Sequence, residues 1–119
     1  AVLEATRRLD KGSDELRAEE GRVLAELSQA YERLSAIVGE IEVLRATLLP
    51  GAQSAFEAAA KGYELGKFGF LDVMDAQRTL FQTRTQYLRA RIAGLQGMSE
   101  IERLVGGSLV GRPEVRSKP

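Results

Sequence analysis

Leu9, Leu16, Val23, Ala30, Ile37 and Leu44 stand seven residues apart, and Leu27, Leu34, Ile41 and Leu48 repeat the interval at a fixed offset. Apolar side chains alternating at threes and fours form the seam of a coiled coil, and a helix carrying such a seam cannot bury it alone. A second helix must therefore cover it. Leu24, Tyr31 and Val38 sit beside the seam and widen the apolar face enough to meet more than one neighbour. Ser13 and Glu20 occupy seam positions and weaken its start. Gly12-Ser13-Asp14 reads either as a cap for a helix beginning at Asp14 or as a soft spot in a helix running from about Val2.

The covering helix begins within the segment from Lys61 to Leu88, after a hairpin turn. Gly66 can supply the left-handed backbone that ends a helix, and Gly69 can cap the next one, with Asp72 three residues on to accept the cap's backbone N–H. From Phe70 the seam resumes as Val73, Ala76, Leu80, Thr83, Tyr87, Ala90, Gly94, Gly97, Ile101 and Leu104, flanked by a second stripe of Met74, Phe81, Leu88 and Leu95. The pattern predicts an all-α fold, a long antiparallel coiled-coil helical hairpin. Its parts are a helix over 1–66, a tip at Lys67, Phe68 and Gly69, a return helix over 70–105 of about 54 Å, and a frayed tail over 106–119. Gly94 and Gly97 each cost about 1 kcal/mol of helix propensity, which marks them as sites of close packing or a bend.

Leu49-Pro50-Gly51 is the one strong break signal in the first helix, because proline loses a hydrogen bond and clashes with the preceding turn. A turn there would give a three-helix bundle. The seam can be continued in frame through Ala55, Ala58 and Leu65, which favours a kinked but continuous helix. Beyond the proline the face becomes small, with Ala52, Ala55, Ala59, Gly62 and Gly66, and with Phe56 and Tyr63 to one side. Such a face suits a tight helix pair near a hairpin tip, and equally a barrel wall that narrows there.

Composition removes most other classes. Seventeen basic and seventeen acidic residues leave no net charge to hold nucleic acid. With neither cysteine nor histidine there are no disulfides, no thiolate ligands and no imidazole base, so neither catalysis nor a bound cofactor is expected. Met74 and Met98 fall at core spacing and read as packing rather than as soft-metal ligands. No window approaches the ~18 to 20 apolar residues of a membrane-spanning helix, no alternating segments suggest barrel strands, and no signal-peptide pattern opens the chain.

Tyr63, Gly66, Phe70, Leu71, Asp72, Val73, Asp75, Ala76, Gln77, Leu80, Arg84, Tyr87 and Leu88, with Ile101 to Gly106 downstream, resemble the second repeat of the TolC-like outer membrane efflux proteins. The nearest likeness is to their cation-efflux, CzcC- and CusC-like branch. The resemblance is dense from about Leu48 to Gly106 and thin before Ala30. It implies that the hairpin is a segment of a periplasmic α-barrel in a homotrimeric outer membrane channel, whose signal peptide, first repeat and strands lie outside this chain. It further implies passive export of substrate, with a periplasmic adaptor and a proton-driven inner-membrane pump of the RND class as partners. A structural coiled-coil interaction module without a pore is the alternative.

On the same resemblance, Asp72 and Asp75 correspond to aspartates lining the channel's constricted entrance, where threefold repetition would make rings of acid. Tyr63 corresponds to a tip tyrosine that helps hold the entrance shut. Each has a plainer reading. Acids in a first helical turn are stabilised by the helix dipole, Asp72 fits a cap, and Tyr63 fits a half-buried aromatic beside Phe56 and Phe70. Phe68 stands where the family has a basic gating residue, which argues against a salt-bridge latch. Arg78 and Arg84 lie on polar faces as solvated charge. Finally, folding back near Lys67 to Gly69 sets Leu95 near Ile41 and ends the return helix opposite about Ala30. Leu9, Leu16, Val23 and Leu27 are then left without a partner, so the chain by itself should either fray before Ala30 or associate, and association, most simply as a two-fold dimer, is expected.

Overall fold

The computed structural model describes residues 1–110, with side chains to residue 107. Helix α1 spans Val2–Val43, a π-helical turn follows at Leu44–Leu48, α2 spans Leu49–Glu64, and α3 spans Phe70–Val110. There is no strand among the described residues, and within residues 34–96 α3 returns antiparallel along α2 and the end of α1, a helical hairpin. Gly12-Ser13-Asp14 lie inside α1, so the soft-spot reading describes them and the cap does not. α3 runs five residues past the expected stop. Gly106 and Gly107 weaken a helix without forbidding one, and they stay within it. The rest of the expected tail, 111–119, lies outside the described residues.

Two units each have their own packing. In the unit covering residues 34–96, Leu44 is wholly buried, and Leu80 and Ala90 are nearly so. Val73, Ala76, Thr83 and Tyr87 are half-buried and Gly94 is buried, so the inward face of α3 follows its heptad seam residue by residue. A Cβ built on Gly94 would stand 3.3 Å from Ile41 Cδ1 and 3.7 Å from Ile37 Cγ2. The glycine marks close packing, with the α3 backbone resting directly on the α1 seam. Leu95, its neighbour on the second stripe, faces out instead. Nearer the tip, Arg84 Nη2 donates to Gln53 Oε1 at 3.0 Å, and Gln53 Nε2 donates to Glu57 Oε1.

The π-turn corrects the expected register. Continued in frame, the seam after Leu44 would have run through Leu48, Gly51, Ala55, Ala58, Gly62 and Leu65; of these only Gly62 is buried, and it lies against Phe68 of the loop. The half-buried residues are instead Leu49, Ala52, Gln53, Phe56, Ala59 and Ala60, while Ala55, Ala58 and Leu65 are exposed. One residue has been taken up between Leu44 and Leu49, where the Leu49 N–H bonds to Leu44 O in place of the α-helical partner. Pro50 supplies the local reason: it has no N–H for Ala46 O, and its ring would strike that carbonyl in an α-helical turn. A wider turn relieves the clash. The chain does not reverse here, since Val43, Leu48 and Leu49 are all right-handed helical.

In the other unit, residues 1–33 with 97–110, Ala30 is buried and Val23, Leu27, Gly97, Ile101 and Leu104 are half-buried. Arg33 Nη2 pairs with Glu100 Oε1 at 3.1 Å. Before Val23 every residue of α1 but the half-buried Gly12 is exposed, Leu9 and Leu16 included.

Candidate functional site at the hairpin tip

α2 ends because Gly66 turns left-handed, with φ of 74°. Its N–H donates to Tyr63 O at 3.0 Å, and the Lys67 N–H donates to Gly62 O at 2.7 Å. These are the paired bonds of a Schellman ending. The Phe68 N–H also donates to Gly62 O, at 3.2 Å, so one carbonyl ties down two loop amides. Phe68 then lays its ring on the Gly62 backbone, so closely that a Cβ there would fall 2.0 Å from Phe68 Cδ2. Only glycine leaves that space. Phe68 thus has a packing role inside its own hairpin.

α3 begins at the opposite side of the same loop. Asp72 Oδ2 accepts the Gly69 N–H at 3.0 Å, and the Asp72 N–H donates to Gly69 O at 3.1 Å. Gly69 has no side chain with which to cap, so the box is closed by the acid alone. Tyr63 reaches across the loop to Phe70, with ring centroids 5.8 Å apart and planes tilted by 59°. Half of Tyr63 remains exposed, as do half of Phe68 and more of Phe70 and Leu71. Lys67 projects from the same end.

Asp75 differs from Asp72. It is exposed and off the Val73-Ala76-Leu80 face, and its carboxylate has no hydrogen bond or ion pair among the described residues; only its backbone carbonyl is used, by Thr79 Oγ1. The tip therefore brings Tyr63, Gly66, Lys67, Phe68, Gly69 and Asp72 into one bonded cluster and leaves Asp75 outside it, one turn along. The contact of Phe68 with Gly62 is the feature sequence reasoning did not find. A glycine four residues before a left-handed glycine, with an aromatic two residues after it, was the available signal. No group of acids in the described residues is arranged to hold a metal, and no described helix is long and apolar enough to cross a membrane.

Residues 1–107 of the chain match the family model described as outer membrane efflux protein. The chain belongs to that family. It is 43% identical over 105 residues to the cobalt-zinc-cadmium resistance protein CzcC of Cupriavidus metallidurans, a match covering 88% of this chain and 25% of that relative. The chain thus spans about a quarter of the length of the curated relative it matches. No solved structure matches it.

Proposed function

We propose that the chain is a periplasmic tunnel segment of a trimeric outer membrane efflux channel, a passive conduit for heavy-metal cations rather than an enzyme. One observation carries the reading. α3 has a complete second stripe, Met74, Phe81, Leu88 and Leu95, exposed by 41%, 70%, 56% and 65%. Helices in a closed wall pack on a neighbour at each side, and the stripe is where the next helix would lie. The name of the 43% identical relative supports cations as the cargo.

In this reading the tip is the narrow periplasmic end, where a periplasmic adaptor and an inner-membrane RND pump would engage. Asp72 is occupied by its cap, so Asp75 supplies the free carboxylate. Repeated three times around an axis, Asp75 would form a ring that concentrates cations at the entrance. Tyr63, held on Phe70, would narrow the same opening. The test is single-channel recording of the full-length protein, in which Asp75→Asn should lower cation preference. Unchanged selectivity would count against the ring, and a full-length protein that forms no conducting pore would leave a coiled-coil module in its place.

A further inference from the structure

α2 holds two overlapping seams one residue apart. The inward one is Leu49, Ala52, Phe56 and Ala59, leading to Tyr63 on Phe70; the other is Leu48, Gly51, Ala55 and Ala58, which face solvent, and it continues through Gly62, buried under the Phe68 ring of the loop, to the exposed Leu65. Either could pack against α3, because each repeats at threes and fours and each contains only apolar or small residues. The π-turn at Leu44–Leu48 takes up the single residue by which they differ. We infer that this turn is a rotary joint: relaxing it to α-helix turns α2 about its own axis by one residue, about 100°, and exchanges the two seams.

The exchange has identifiable consequences. It buries Leu48 and Leu65, now 47% and 62% exposed, and turns Phe56 outward. It also carries Tyr63 away from Phe70, so the tip aromatic is presented differently in the two states. Gly66 and Gly69 bracket the loop that must absorb the motion. Pro50 biases the equilibrium, because the α-helical form of the joint brings its ring against Ala46 O. The proline therefore holds α2 in the phase described here. A packed core with two discrete arrangements switches between them rather than deforming gradually, and this inference holds whatever the chain conducts.

The chain has no cysteine, so paired cysteines report on rotation without background. Ala55 and Glu57 flank Phe56, and the register set by Arg84 on Gln53 places Phe81, and with it the inward-facing Leu80 one residue away, near the level of Phe56. In the Pro50 chain, oxidative cross-linking of Ala55→Cys/Leu80→Cys and of Glu57→Cys/Leu80→Cys should be comparably slow. Adding Pro50→Ala should speed the Ala55 pair at least about tenfold and should not speed the Glu57 pair, which turns further from α3. Deleting Thr47 as well removes the extra residue, so the Ala55 pair should return to the rate of the Glu57 pair. An equal rise in both pairs on Pro50→Ala, a rise in neither, or an Ala55 rate that survives the deletion overturns the joint.

Discussion

Gly62→Ala should destabilise the hairpin in the native chain and stabilise it once Phe68 is removed. Alanine in a helix interior is favoured over glycine by about 1 kcal/mol, and by less near an end, so propensity alone predicts a gain. The new methyl, however, would fall 2.0 Å from Phe68 Cδ2, 2.5 Å from Cε2 and 3.0 Å from Cγ. Because Cγ is also too close, spinning the ring cannot relieve the clash, and the side chain must leave the glycine. Phe68 is 50% exposed, so it forfeits about half of the ~1.5 to 3 kcal/mol that full burial provides. Displacing the loop also weakens two amide bonds to Gly62 O, each contributing about 0.5 to 1.5 kcal/mol. The losses exceed the gain, and the native chain should be weakened by about 1 to 2 kcal/mol. With Phe68→Ala in place, the same substitution should stabilise by about 0.5 to 1 kcal/mol. Urea denaturation followed by far-UV circular dichroism, at one fixed protein concentration, measures all four corners of this cycle. A gain of equal size in both backgrounds would refute the contact.

The two tip aspartates should separate by assay: Asp72→Ala loses the capping-box bond from the Gly69 N–H and about 0.5 to 1.5 kcal/mol of stability, while Asp75→Asn leaves thermal denaturation unchanged. A hydrogen bond from Arg45 holds the Glu42 carboxyl below its ordinary range, with the guanidinium charge acting in the same direction. Its stabilising contribution is therefore complete above that range and lost as pH falls through the lowered value, so native and Glu42→Gln chains should differ slightly at neutral pH and converge in acid melts. The purified chain should associate through its exposed stripes, and light scattering should show Phe81→Glu/Leu88→Glu lowering its mass; a native monomer helical through its first 22 residues would contradict this.

Much of this fold is legible in the order of residues, because a heptad seam states which side of a helix is covered. Every seam residue of α3 from Val73 to Leu104 is buried or half-buried, and Gly66, Gly69 and Asp72 announce the turn and its cap. The π-turn is not legible for a definite reason. From Leu48 to Ala59 the chain carries apolar or small residues at both of two adjacent phases, so periodicity fits either equally well. The choice belongs to packing against α3 and to Pro50. Phe68 on Gly62 was hidden too, since it depends on the exact path of a five-residue loop. The acid ring proposed for Asp75 needs further copies of the chain, whose placement no single sequence spells out.

Contacts close to the tip join residues near one another in the chain: Gly62 meets Phe68 and Tyr63 meets Phe70, whereas Gln53 and Arg84 are 31 residues apart and Arg33 and Glu100 are 67. Closing the longest of these loops from an open coil is the most costly in entropy, but after the tip has formed each next contact closes only a short additional loop. Folding should therefore proceed as a zipper that starts at Gly66 and runs away from it. Substitutions at Gly62 or Asp72 would slow folding, and those at Arg33 or Glu100 would chiefly hasten unfolding. The first 22 residues come last. An unsupported helix of that size is only marginal in water, so their order would be set by whatever docks on Leu9 and Leu16, after the hairpin behind them is already complete.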